Sequence, residues 1–106
     1  MTGYHDFYDR ESKPIADAEE WNRKIADPEY RRVASTVLPD GKWVSTLWVG
    51  LNYLPGRGPP LIFETMVFPS TDSSSGDDLA CERYSTEKQA LEGHKRLVDE
   101  WSKPQE

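Results

Sequence analysis

An α+β fold follows from three features of this 106-residue chain. Two apolar segments, around residues 42–54 and 61–68, alternate with a period of two, as strands do. A Pro39-Asp40-Gly41 turn joins the first of them to the segment before it. A closing segment from Thr86 repeats its apolar residues at helical spacing. Together these predict a three- to four-stranded antiparallel meander sheet with a C-terminal amphipathic helix packed on one face and a short N-terminal helix. Short connections favour neighbouring antiparallel pairs, so spatial order is expected to follow sequence order.

Taken in order, residues 1–16 read as a polar N-terminal arm carrying Tyr4, Phe7 and Tyr8, and residues 17–103 as a single α+β domain. Asp17 is placed to cap a short helix, with Glu20 completing a capping box and Trp21 and Ile25 forming one apolar ridge. Asp27-Pro28 is expected to stop that helix, because proline disfavours a helical residue before it. From Tyr30 the period becomes two: Val33, Ser35 and Val37 alternate with Arg32, Ala34, Thr36 and Leu38. Arg31 and Arg32 are therefore expected on opposite faces. In Pro39-Asp40-Gly41, proline presets φ and glycine supplies the positive φ that closes a hairpin.

Lys42 to Leu54 reads as one long strand. Trp43, Ser45, Leu47, Val49, Leu51 and Tyr53 share one face, and Val44, Thr46, Trp48, Gly50, Asn52 and Leu54 the other. Pro55 to Pro60 is a loop by composition. Leu61 to Phe68 is a third strand, apolar on both sides, with Leu61, Phe63 and Val67 against Ile62, Met66 and Phe68. A Ser/Asp-rich loop, Pro69 to Asp78, leads to a short fourth strand, Leu79 to Tyr84. Thr86 then caps the last helix, with Gln89 in the capping-box position, and Ala90, Leu91, His94, Leu97, Val98 and Trp101 make its stripe.

Composition bounds the function. The chain is 36% apolar and 30% charged, with four Trp and five Tyr, which is too aromatic for a disordered segment. Net charge is −6, and the basic residues are scattered rather than gathered in the stripe that phosphate backbones require, so no nucleic-acid partner is expected. A single cysteine excludes an internal disulfide and a Cys-based zinc site. No apolar run approaches the ~18 residues of a membrane span, so no membrane partner is expected. The start of the chain lacks a basic, then apolar, export signal, and the expected location is the cytoplasm.

The informative feature is that strands two and three are apolar on both sides while one helix can cover only one. Trp48, Met66 and Phe68, flanked by Tyr53 and Arg57, form the candidate interaction surface, and a second copy meeting it in a homodimer is its simplest cover. The competing reading is that the N-terminal arm folds back over it. No enzyme activity and no cofactor are expected. Cys81 and His94 are the only nucleophile–base candidates, and His94 on the apolar stripe reads first as a core residue. His5, Asp6 and Asp9 resemble only a loose metal-ligand cluster in a terminus of no fixed geometry, and Asp72, Asp77 and Asp78 lack a calcium-loop pattern. Glu64 is expected to pair with Arg83 on the neighbouring strand.

The segments Asp27-Pro28-Glu29-Tyr30-Arg31-Arg32-Val33-Ala34, Trp43 to Leu51, Pro59 to Phe68 and Arg83 to His94 resemble a family of small uncharacterised proteins encoded by bacteriophages and prophages of actinobacteria. The resemblance covers roughly residues 15–100 and brings no catalytic or binding residues with it. It implies expression in a bacterial host cytoplasm and a small accessory protein that acts by contacting a host or phage protein. The other readings left open are a small-ligand, nucleotide-like binding or sequestering protein and a minor virion component.

Overall fold

The computed structural model describes residues 7–52, 58–74 and 76–103. Its elements are β1 (Phe7–Tyr8), β2 (Pro14–Ile15), α1 (Ala18–Ile25), α2 (Pro28–Arg31), β3 (Arg32–Val37), β4 (Trp43–Trp48), β5 (Phe63–Phe68), β6 (Ala80–Tyr84) and α3 (Glu87–Ser102). β3 to β6 form a four-stranded antiparallel sheet in sequence order, and β1 with β2 forms a separate two-stranded one. α3 packs across the larger sheet and touches all four of its strands. The α+β meander with its covering C-terminal helix is thus the fold the sequence predicts.

The hairpin between β3 and β4 forms where the turn residues place it. Gly41 sits at φ +94° and donates its N–H to Leu38 O at 2.9 Å, while Leu38 N donates to Lys42 O at 2.7 Å. The helix caps also follow the sequence. Asp17 accepts from Glu19 N at 2.9 Å, and Thr86 Oγ1 accepts from Gln89 N at 3.1 Å.

The register then decides which side chains share a face. Val44, Thr46 and Trp48 of β4 stand opposite Val67, Thr65 and Phe63 of β5, and these face α3. Trp43, Ser45 and Leu47 stand opposite Phe68, Met66 and Glu64 on the other, helix-free face. Under the helix lie two apolar clusters. One holds Ile15, Trp48, Ile62, Phe63 and Ala90, and the other Leu38, Val44, Val67 and Leu97. A buried polar belt of Thr46, Thr65 and His94 occupies the helix side as well.

Four local expectations are corrected. β4 ends at Trp48 instead of running to Leu54: Val49 N and Gly50 N both donate to Ile62 O, and Gly50 adopts φ +68°, which breaks the strand's alternation. A side chain at Gly50 would run into the Trp48 indole and crowd Trp21 Nε1. Second, Asp27-Pro28 ends α1 but also begins α2. The Asp27 carboxylate accepts from Glu29 N at 3.0 Å, and Pro28 fills the first helical position, where its missing N–H has no partner to lose. Third, Arg31 therefore closes a helix rather than lying in a strand, and a bulge between Arg32 and Ala34 lets Val33 pack against the first cluster. Fourth, Leu91 belongs to the predicted stripe but is 41% exposed, since α3 leaves the edge beside β3 uncovered.

The N-terminal segment is part of this core. Trp48 Nε1 donates to Tyr8 O at 3.0 Å, and Tyr30 meets the Trp48 ring edge-on with centroids 4.9 Å apart. Arg10 pins the arm, bridging to Glu87 at 2.8 Å and donating to Tyr30 O at 2.9 Å. Ser12 Oγ adds a bond to Ser85 O at 3.0 Å. Burying Trp48 and the rings around it is the largest local reason for the arm to fold back.

Candidate docking face

Of the side chains the sequence nominates, Trp48 has no exposed surface. It belongs to the helix side, beneath the arm, and is withdrawn from the interaction surface. The physical reason is parity: Trp48 pairs with Phe63, not with Met66 and Phe68. Met66 and Phe68 do share the helix-free face, where Trp43 takes the place expected for Trp48. Phe68 is only 7% exposed because the Trp43 ring lies against it, with centroids 5.2 Å apart and planes 31° from parallel. Tyr53 and Arg57 lie outside the described residues.

The helix-free face is organised in rows across the strands. At the hairpin end, register aligns Val37, Trp43 and Phe68, and Leu79, just before β6, donates to Val67 O at 2.6 Å; Val37 and Leu79 are 59% and 47% exposed. The middle row is Ser35, Ser45, Met66 and Cys81. The far row is Arg32, Leu47, Glu64 and Arg83, with Glu64 and Arg83 bridged at 3.0 Å as the sequence predicts. Trp43 Nε1 donates to Ser35 Oγ at 2.8 Å, so the polar atom of this ring is satisfied within the face.

Two concave regions share this face. One, of about 310 Å³, lies over Leu47, Met66 and Phe68 and is bordered by Ser73 and Ser74 of the Ser/Asp loop. The other, of about 190 Å³, lies between Pro28, Arg31, Arg32, Ser35, Ser45 and Leu47. Arg31, Trp43, Ser45 and Leu47 border both. Arg31 Nε is buried in this region without a hydrogen-bond partner. An orphaned buried donor of this kind costs about 1–3 kcal/mol. Sequence reading missed Arg31 because it placed the residue in a strand; the Asp27-Pro28 cap was the available signal that a helix starts there.

The chemistry of the other candidates is different. Cys81 pairs with Met66 on the helix-free face, whereas His94 lies on the helix side, so the sheet separates the two. Burial first, and then the Glu64 carboxylate, pushes the Cys81 thiol up to about 11. Both ring nitrogens of His94 are engaged, Nε2 with Thr36 Oγ1 at 2.9 Å and Nδ1 with Thr46 Oγ1 at 2.7 Å. Burial lowers the pKa of His94, which keeps the ring neutral. A wide trough of about 870 Å³ runs between β3 and α3 above it, but Glu87, Lys88, Glu92 and Lys95 alternate in sign along its rim.

Among the described residues no three His, Cys, Asp or Glu side chains come together in a group that could hold a metal ion. Asp9 accepts from Glu11 N and Lys13 N at 2.9 Å, and Asp77 accepts from Ser74 N at 3.2 Å, so both carboxylates shape turns. His5 and Asp6 lie outside the described residues. No helix among the described residues is long and apolar enough to cross a membrane.

No protein-family model, no curated protein and no solved structure matches the chain.

Proposed function

We propose that the protein is a non-enzymatic interaction protein that pairs with a second copy of itself through the helix-free face of its sheet. The observation that carries this reading is the row Val37, Trp43 and Phe68 with Leu79 nearby, of which Val37 and Leu79 are exposed. Under a two-fold axis such a row meets its own image, so apolar side chains face apolar side chains without unpaired polar groups between them. The Trp43 ring brings no unsatisfied N–H into that contact, because Ser35 already accepts it.

The non-enzymatic part of the reading is supported by the separation of Cys81 from His94 and by the full engagement of the imidazole. The setting, a bacterial host cytoplasm in which a further host or phage protein is bound, is supported by the resemblance to phage-encoded proteins alone.

The test is molar mass by light scattering during size-exclusion chromatography at micromolar concentration. A dimer has twice the 12.2 kDa of the chain, and Leu79→Glu is expected to return it to a folded monomer with an unchanged far-UV circular dichroism spectrum. A strictly monomeric wild type would remove the proposal.

A further inference from the structure

The face carries, at the end away from the apolar row, two arginines that the row does not use. Arg31 and Arg32 are adjacent in sequence, yet the end of α2 and the start of β3 bring both to the border of the 190 Å³ concavity. In an acidic chain most such groups find partners: Arg10 bridges Glu87, Arg83 bridges Glu64, and Arg96 bridges Glu82 and Glu100. Among the described residues neither Arg31 nor Arg32 enters an ion pair, although acids outnumber bases 19 to 13. The Nε of Arg31 is moreover shut away from water with no acceptor in reach. A buried donor on a permanently charged fork is matched by a carboxylate, whose two oxygens fit the guanidinium edge.

The dimensions select the carrier. About 190 Å³ is smaller than the ~300 Å³ at which pockets for whole small ligands begin, and it suits a single side chain entering from above. Leu47 and the edge of Trp43 supply an apolar border, and Ser35 and Ser45 supply hydroxyls. We infer that this end of the face receives an aspartate or glutamate side chain from a partner polypeptide, with Arg31 as its counter-ion and a neighbouring apolar side chain of the same segment resting on Leu47. This inference rests on the helix-free face being a docking surface. It goes further in naming the chemistry of a partner other than a second copy, since the row at the hairpin end serves that contact.

The test is a selection of short random peptides displayed against the wild-type protein, followed by affinity measurements on the recovered sequences. The recovered peptides are expected to share an acid next to a bulky apolar residue. Replacing that acid by its amide, or making Arg31→Met in the protein, is expected to weaken binding about tenfold each, and the two changes together no more than either alone. Arg31→Lys, which keeps the charge and loses the planar fork, is expected to fall between. A melting midpoint in Arg31→Met no lower than that of the wild type establishes that the variant is folded. Peptides that bind wild type and Arg31→Met equally, yet are lost in Leu47→Asp, would overturn the inference and leave the docking face standing. Peptides indifferent to both variants, or a selection that recovers none, would sink the inference, whereas the pairing of two copies stands or falls on the molar mass.

Discussion

Thr36 Oγ1 lies 2.9 Å from His94 Nε2, and Thr46 Oγ1 lies 2.7 Å from His94 Nδ1 and 2.6 Å from Thr65 Oγ1. Each hydroxyl has one hydrogen and the neutral ring carries one N–H. Thr46 gives its hydrogen either to Thr65 or to Nδ1, so the tautomer of the ring sets the direction of every bond in the chain. Either tautomer places the ring's hydrogen on a threonine oxygen.

In Thr46→Val, Nδ1 is left without a partner, and a buried N–H without an acceptor is costly, so the proton is expected on Nε2, where Thr36 can accept it. Long-range ¹⁵N NMR spectra of the imidazole check it; an Nδ1–H ring in Thr46→Val would contradict it.

A neutral buried imidazole also ties stability to pH. Burial holds the folded-state pKa of His94 below its ordinary value of 6.5. Between the two values the unfolded chain binds more proton than the folded one, so the contribution is whole above about pH 6.5 and is lost as pH falls through the lowered folded-state value. Urea midpoints followed from neutral pH down to about 5 are expected to fall more steeply for wild type than for His94→Met. Parallel slopes would show that His94 does not titrate differently in the two states.

The elements that sequence reading captured are those governed by nearby residues. Pro39-Asp40-Gly41, Asp17 and Thr86 each act within a few positions, and each turn or cap forms where its chemistry requires. The error at Trp48 has a different origin. Facing partners across β4 and β5 depend on how the two strands are joined, and the positive φ of Gly50 just after β4 is invisible in an alternating pattern. A mistake of one residue in parity moves every side chain to the other face. That exchanged Trp48 for Trp43, and it hid the role of the arm, whose Phe7, Tyr8 and Ile15 are too sparse to announce a covering layer. Met66 and Phe68 were placed together correctly because they lie in one strand.

Gly93 shows a local preference overruled by packing. Glycine inside a helix costs about 1 kcal/mol relative to alanine, which makes Gly93→Ala look stabilising. A Cβ there would overlap the Tyr84 phenol, whose hydroxyl is held by Glu82 at 2.6 Å and has little freedom to retreat. Overpacking of this kind costs about 1–3 kcal/mol, so Gly93→Ala is expected to be net destabilising. In a Tyr84→Ala background the obstacle is absent and the same change is expected to stabilise by up to about 1 kcal/mol. Chemical denaturation of the four proteins checks it; a stabilising Gly93→Ala in the wild type would show that Tyr84 yields freely.

Cys81 is exposed, yet its chemistry is suppressed. Burial of part of the thiol and the adjacent Glu64 carboxylate raise its pKa from 9.0 to about 11, with Sγ donating to Glu64 Oε2 at 3.5 Å. Two pKa units lower the thiolate fraction near neutral pH about a hundredfold, and thiolate is the reactive form. Alkylation by iodoacetamide is therefore expected to run far below the rate of a free cysteine, although the side chain is open to the reagent. Glu64→Gln removes the negative neighbour and is expected to speed the reaction, but not to the free rate, because desolvation is the larger cause. A pH–rate profile separates this from steric blocking. A raised pKa moves the inflection to higher pH and leaves the high-pH plateau intact, whereas blocking lowers the plateau at an ordinary inflection.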